Sequence, residues 1–245
     1  MEDGAALPAG FTYVPGEVLF FSFQVAGYQT AEQKVHLTYE IQPLDPQGVR
    51  FLEPISGTVE ETLAPEDKEW KPKVHPEIPL PTLAGSGTYK IVVKVTDDLA
   101  KATITKEVPF EVRGREVAPS DTLVVRNFHF YRGEDEPTPL ASAVYRPGDV
   151  VWARFDIIGY KFGDGNKVDV TYGIAVLNAA GKVLYSQDPP AVEQSASFYP
   201  KRYVPAAMNL NLQSNIRPGD YFIAVTVRDL VGDRKYETKE KFTVQ

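Results

Sequence analysis

Along this chain apolar and polar residues alternate in short runs. In residues 18–25, Leu19, Phe21, Phe23 and Val25 fall on one face, and Ser22 and Gln24 on the other. Val35, Leu37, Tyr39 and Ile41 alternate with His36, Thr38 and Glu40. Tyr89, Ile91, Val93 and Val95 alternate with Lys90, Lys94 and Thr96, and an Asp97-Asp98 turn then leads into a strand ending at Val112. A period of two residues is the mark of a strand with one face in a core. No segment carries a capped helical period of about 3.6 residues, so the pattern predicts an all-β protein.

Each of these runs occurs twice. Val151, Ala153, Phe155 and Ile157 repeat the first, Val168, Val170, Tyr172 and Ile174 the second, and Tyr221, Ile223, Val225 and Val227 the third. Tyr13-Val14-Pro15-Gly16-Glu17-Val18 recurs as Tyr145-Arg146-Pro147-Gly148-Asp149-Val150, and Gly27-Tyr28 as Gly159-Tyr160. Gly87-Thr88-Tyr89 recurs as Gly219-Asp220-Tyr221, and Phe110-Glu111-Val112 as Phe242-Thr243-Val244. The spacing is 132 positions throughout (145 − 13, 219 − 87, 242 − 110), with a one-residue slip at the loop containing Gly163-Asp164-Gly165-Asn166. A constant offset of this kind marks a duplicated domain. Residues 1–113 form the first, 114–121 a polar linker with Gly and Pro, and 122–245 the second.

Short alternating strands between Gly, Pro and Asp turns predict antiparallel β-sandwiches. The segments ending in Gly87-x-Tyr89-x-Ile91-x-Val93 and Gly219-x-Tyr221-x-Ile223-x-Val225 resemble the tyrosine corner and following strand of immunoglobulin-like folds. The whole repeat, from Pro-Gly-Glu/Asp to Phe-x-Val, is similar to fibronectin-III-like and macroglobulin-like domains of bacterial envelope proteins. The resemblance implies tandem immunoglobulin-like sandwiches acting as a non-catalytic binding or structural module. It is specific for fold and nearly silent on function, because sandwiches of this class carry many unrelated roles.

The repeats differ at their starts. Leu123 to Tyr131 reads as an opening strand of the second, followed by an acidic loop at Glu134-Asp135-Glu136. Only twelve residues precede Tyr13, few of them strand-like. The first domain is therefore expected to lack that strand, or the sequence to begin after it, as in a piece of something longer. A bare sheet edge invites aggregation. Residues 5–12 are expected to run along that edge, or the 114–122 segment to pack over it.

Composition narrows the roles. A net charge of −7 disfavours nucleic acid and anionic membrane surfaces as partners. With no cysteine, disulfides and thiolate metal sites are excluded. No apolar run approaches the roughly 18 residues of a membrane-spanning helix. The start, Met1-Glu2-Asp3-Gly4, has no signal-peptide character. The repeat architecture favours a mature extracellular or periplasmic chain whose signal has been removed.

Candidate chemistry sits in two long stretches, about 43–83 and 178–215. Trp70-Lys71-Pro72-Lys73 parallels Phe198-Tyr199-Pro200-Lys201 at an offset of 128 (198 − 70), and Arg202 and Tyr203 extend the second copy. Trp70, Lys73, Phe198, Tyr199, Lys201, Arg202 and Tyr203 thus form the candidate ligand-binding set, able to stack on a sugar ring or anchor a peptide. The same aromatics also suit a role as caps over the open end of each sandwich. Phe20 and Trp152, equivalent and opposite the core stripe, suit either an interaction surface or packing under the long loops.

Asp97-Asp98 and Gly163-Asp164-Gly165-Asn166 offer oxygen ligands of the type calcium takes, but match ordinary turn chemistry better. His36, His75 and His129 lack metal-ligand spacing. The sequence holds no nucleophile elbow, Walker loop or dinucleotide fingerprint, so neither catalysis nor a cofactor is expected. A protein partner or a polysaccharide remains, the latter for a carbohydrate-binding accessory module, and a pure spacer is the third reading.

Overall fold

In a computed structural model, which describes residues 7–8, 10–67 and 69–245, the alternating runs form strands. The chain divides into two units, Met1–Glu116 and Val117–Gln245. In the first, the strands are β1 (Thr12–Tyr13), β2 (Val18–Phe20), β3 (Phe23–Gln24), β4 (Lys34–Leu44), β5 (Ile55–Thr62), β6 (Lys73–Val74), β7 (Glu77–Pro79), β8 (Gly87–Asp97) and β9 (Ala102–Val112). Five of them make one sheet in the order β1-β9-β8-β4-β5, antiparallel except that β1 runs parallel to β9. The facing layer is thin: β2 pairs with β7, and β3 with β6.

The second unit contains β10 (Val124–Tyr131), β11 (Val144–Tyr145), β12 (Val150–Ile158), β13 (Val168–Asn178), β14 (Val183–Ser186), β15 (Ala191–Ser195), β16 (Tyr203–Asn211), β17 (Gly219–Asp229) and β18 (Arg234–Val244). Its larger sheet runs β11-β18-β17-β13-β14, with β15 also on the outer edge of β13. Its smaller sheet has three strands, β10-β12-β16. Among the described residues the one helical element is a 3-10 turn at Asp164–Asn166. The all-β expectation is met.

The long stretches expected to be irregular are strands as well. They carry β5 to β7 and β14 to β16. β5 escapes pattern reading because it is an edge strand whose inward row, opposite Val35 to Ile41, is broken by Gly57 and Glu61. Pro72, Pro76 and Pro79 cut β6 and β7 short, since proline brings no N–H to a ladder.

Inward positions of both sheets fill the core of the second unit. Val151, Phe155 and Ile157 of β12 meet Val168 and Val170 of β13, Ile223, Val225 and Val227 of β17 and Phe242 of β18, all essentially inaccessible to solvent. Each such side chain contributes roughly 1.5–3 kcal/mol by leaving water. Tyrosine corners close both units. The Tyr89 hydroxyl donates to the Gly85 carbonyl at 3.1 Å, and the Tyr221 hydroxyl to that of Arg217 at 2.8 Å.

No described strand of the first unit corresponds to β10. Of the stretches 5–12 and 114–122 expected over the vacant edge, Thr12, Gly114 and Arg115 pair elsewhere. Thr12 joins Glu111 on the opposite sheet, while Ser86 donates to the Gly114 carbonyl and Arg115 bridges to Gly85. Residues 5, 6 and 9 lie outside the described residues.

Gly27 and Gly159 are repeat-equivalent and share a left-handed backbone, with φ of 75° and 74°. A side chain at 27 meets open space, whereas one at 159 collides with the Thr122 and Ser120 carbonyls. Gly27→Ala is therefore expected to cost about 1–2 kcal/mol, the left-handed penalty alone. Gly159→Ala is expected to cost clearly more, as urea denaturation of the two variants measures.

Candidate functional site

One end of each sandwich is organised by a buried aspartate at the close of its most regular strand. Asp97 Oδ1 accepts the Leu99 and Ala100 N–H groups, each at 3.0 Å, and Oδ2 accepts that of Gln29 at 2.7 Å. Asp229 repeats the arrangement, with Val231 at 3.1 Å and Gly232 at 2.9 Å on Oδ1, and Lys161 at 2.9 Å on Oδ2. Each carboxylate thus ties the turn after its own strand to the loop after the opening Gly-Tyr. Burial by itself raises the Asp97 pKa, but the N–H groups of Gln29, Ala100 and Leu99 outweigh it and hold the carboxyl below its ordinary value. Asp98 faces His36, 2.8 Å from Nδ1. Among the described residues no three His, Asp or Glu side chains converge as a metal ion requires.

A second tie brings in the strand opposite. The Tyr28 hydroxyl donates to the Trp70 carbonyl at 2.5 Å, and the Tyr160 hydroxyl donates to the Lys201 carbonyl. Burial, reinforced by Glu193 and Asp229, raises the Tyr160 pKa and keeps this donor protonated. Asn166 Nδ2 adds bonds to the Ser197 and Phe198 carbonyls at 3.1 and 2.7 Å, which tie the Gly163–Asn166 loop to the 197–198 backbone.

Strand register shows that Trp70–Lys73 and Phe198–Lys201 are not equivalent. Leu19 opposes Ile78 and Val151 opposes Leu210, an offset of 132 on both strands (151 − 19, 210 − 78). Lys73 therefore corresponds to Pro205, and the matching tyrosine bonds set Trp70 against Lys201, not Phe198. Trp70 is half-buried and Lys73 exposed, on β6 opposite Gln24. In the second unit Phe198 is exposed. Tyr199 is half-buried, with the Arg202 guanidinium 5.9 Å from its ring centre. Lys201 binds Glu193 at 2.6 Å and so holds that carboxyl below its usual range. Tyr203 is 6% exposed, in β16 opposite Ile158, and offers no ring face to solvent.

The seven candidates thus divide between the units. In the second, sequence reading overlooks Phe162 and Leu230, both exposed. Phe162 stands edge-on to Tyr160 at 5.6 Å, and the Leu230 N–H donates to the Asp169 carbonyl at 2.8 Å. With Phe198 they put one large apolar group on each of three loops bonded together at the same end. The available signal was an aromatic and a leucine sitting in turns. Of the outer-face pair, Phe20 is exposed and Trp152 half-buried. Near Trp152, Arg154 lies 4.3 Å over the Tyr131 ring and donates to the Glu136 and Glu134 carbonyls, holding the acidic loop down.

No family model matches this chain, and no curated protein matches it. Among solved structures, the C-terminal domain of the Streptococcus agalactiae AgI/II polypeptide BspA is 11% identical, over 96% of this chain and 95% of that one, with a TM-score of 0.32. The C-terminal domain of the Streptococcus pyogenes antigen I/II-family protein AspA is 10% identical, over 96% and 94%, with a TM-score of 0.31. Likeness at this level carries no argument, and the fold rests on the strand pairing above.

Asp97→Asn puts an amide where three N–H groups need an acceptor, at an expected cost of about 1–3 kcal/mol near neutral pH. Because the folded pKa is depressed, the wild-type advantage is complete above the unfolded value of about 4 and fades as pH falls through the folded value. Urea denaturation of both proteins at pH 7 and pH 3 is expected to show a larger gap at pH 7 than at pH 3.

Proposed function

We propose that this chain is a non-catalytic binding module of a bacterial cell-envelope or secreted protein, built from two tandem immunoglobulin-like sandwiches and acting through protein–protein contacts. The supporting observation is the loop end of the second unit. Phe162, Phe198 and Leu230 are exposed there on loops held by Asp229, Tyr160 and Asn166. Large apolar groups presented on a fixed scaffold, with Arg202 against the adjacent Tyr199, have the composition of an interface centre. Fixing the loops in advance lowers the entropy lost on association.

The carbohydrate reading uses Trp70, Lys73, Phe198, Tyr199, Lys201, Arg202 and Tyr203. The adjacent Phe198 and Tyr199, with Arg202 against the latter, are the observation in its favour. The protein reading is preferred because Tyr203 is buried and Lys201 is engaged by Glu193, which leaves few of these groups to form a flat platform. A spacer would have little use for three exposed apolar side chains at one end.

Replacing Phe198 with a benzophenone amino acid in the full chain and irradiating it with cell-surface extract is expected to give protein adducts. Phe162→Ser with Leu230→Ser is expected to reduce them at least tenfold. In a Trp152→Phe background, protection of Trp70 from iodide quenching by polysaccharides, without protein adducts, would turn the assignment to carbohydrate. Absence of both signals would leave the spacer.

A further inference from the structure

The two repeats differ most where β10 lies. In the second unit β10 pairs antiparallel with β12, Tyr131 opposite Trp152 and His129 opposite Arg154. The strand equivalent to β12 in the first unit is residues 18–25, whose other neighbours are β6 and β7. Phe21 and Val25 donate to the Pro76 and Pro72 carbonyls, and Leu80 donates to that of Glu17. Odd-numbered residues therefore turn their backbone groups toward β6 and β7. By antiparallel geometry Val18, Phe20, Ser22 and Gln24 turn theirs the other way, where no described strand pairs with them.

The side chains around this edge carry the same vacancy. Tyr145 and Phe242 are each 1% exposed and Phe155 is 0%, while their counterparts Tyr13, Phe110 and Phe23 are only half-buried. On β9, Ile104 and Val108 point into the sandwich by register, opposite Val95 and Ile91, yet are 55% and 40% exposed. Their counterparts on β18, Tyr236 and Glu240, are half-buried.

What fills the seat in the second unit defines what suits it in the first. Val125 and Phe130 of β10 are buried, and Phe128 stacks on Phe155 at 5.5 Å. At the end of the strand, the Tyr145 hydroxyl donates to the Tyr131 carbonyl at 3.0 Å. Next, Arg132 lies 3.8 Å from Asp149 and 5.4 Å from the Tyr145 ring centre. The first unit retains the matching groups: Tyr13 for the hydroxyl and ring, Glu17 for the carboxylate, Phe23 for the stack.

We propose that the open edge at residues 18–24 is an acceptor for a β-strand from a partner protein. The strand is apolar at alternate positions, ends in a cation, and adds antiparallel as β10 adds to β12. Main-chain bonds supply affinity, and the alternate apolar seats with Glu17 supply selectivity. This deepens the protein-binding reading and rests on it, but at a surface separate from the loop end of the second unit.

The probe is a synthetic peptide of residues 121–134, and the protein is the full chain. Addition of peptide is expected to slow hydrogen exchange at the Phe20, Ser22 and Gln24 amides. Ile104→Asp with Val108→Asp, at positions already exposed, is expected to weaken binding at least tenfold. Thr105→Asp, on the outer face of β9, serves as the charge control and is expected to bind as wild type. Binding without protection of those amides, or equal binding by a scrambled peptide, would overturn the proposal. Protection already present without peptide would overturn it too: independent of concentration, it means the chain fills its own seat; rising with concentration, it means a second copy does. Failure here with retained benzophenone adducts at position 198 removes the strand acceptor and keeps the protein-binding reading. Loss of both removes that reading as well.

Discussion

A β-sheet with alternating apolar residues sheds water from one face only, and only if a second layer lies on it. Everything distinctive in these two units follows from how completely that cover is supplied. In the second unit three strands lie across the larger sheet, and the inward side chains of β12, β13, β17 and β18 are sealed. In the first, two broken strand pairs do the covering, and inward residues of β9 stand in solvent. At about 25 cal/mol per Å² of apolar surface, one strand fewer among the described residues is a substantial loss of burial.

Where the cover ends, hydrogen bonds take over. Asp97 and Asp229 each gather three N–H groups from two loops, and Tyr28 and Tyr160 reach a carbonyl just before the neighbouring strand of their own layer. Such bonds satisfy loop backbone that no sheet partner reaches, and they hold each loop against its neighbours. The consequence at the end of the second unit is a set of apolar side chains displayed on restrained rather than wandering backbone. Scaffold and display are separate inventions here: the aspartate and tyrosine ties occur in both repeats, whereas Phe162 and Phe198 occur in one.

The open edge of the first unit sets stability against function. Exposed edges favour self-association, and proteins blunt them by shortening strands or placing polar residues on them. β2 and β3 are three and two residues long, and Ser22 and Gln24 stand on their outward face. Both devices limit indiscriminate pairing. Neither removes the row of backbone groups that a well-matched strand would use.

Much of the architecture was legible in the residues alone. Period-two alternation at Val35–Ile41 and Tyr89–Val95 named long strands, that at Leu19–Val25 named one that forms only as the short β2 and β3, the 132-residue offset named the repeat, and Gly-x-Tyr named both corners. These signals are local, since a strand's alternation and a turn's glycine are written within a few residues of one another. Edge strand β5 and the proline-cut β6 and β7 carried no such pattern, so they passed for loop. The likeness of Trp70–Lys73 to Phe198–Lys201 was likewise a resemblance of letters that strand register, a non-local property, dissolved. Exposure was beyond sequence for the same reason. Tyr203 is buried and Phe198 exposed, five positions apart in one aromatic run, because burial depends on which distant strand lies above a side chain. Strands and their repetition are written in neighbouring residues, whereas the covering of each face is settled by packing, because cover comes from residues far away in the chain.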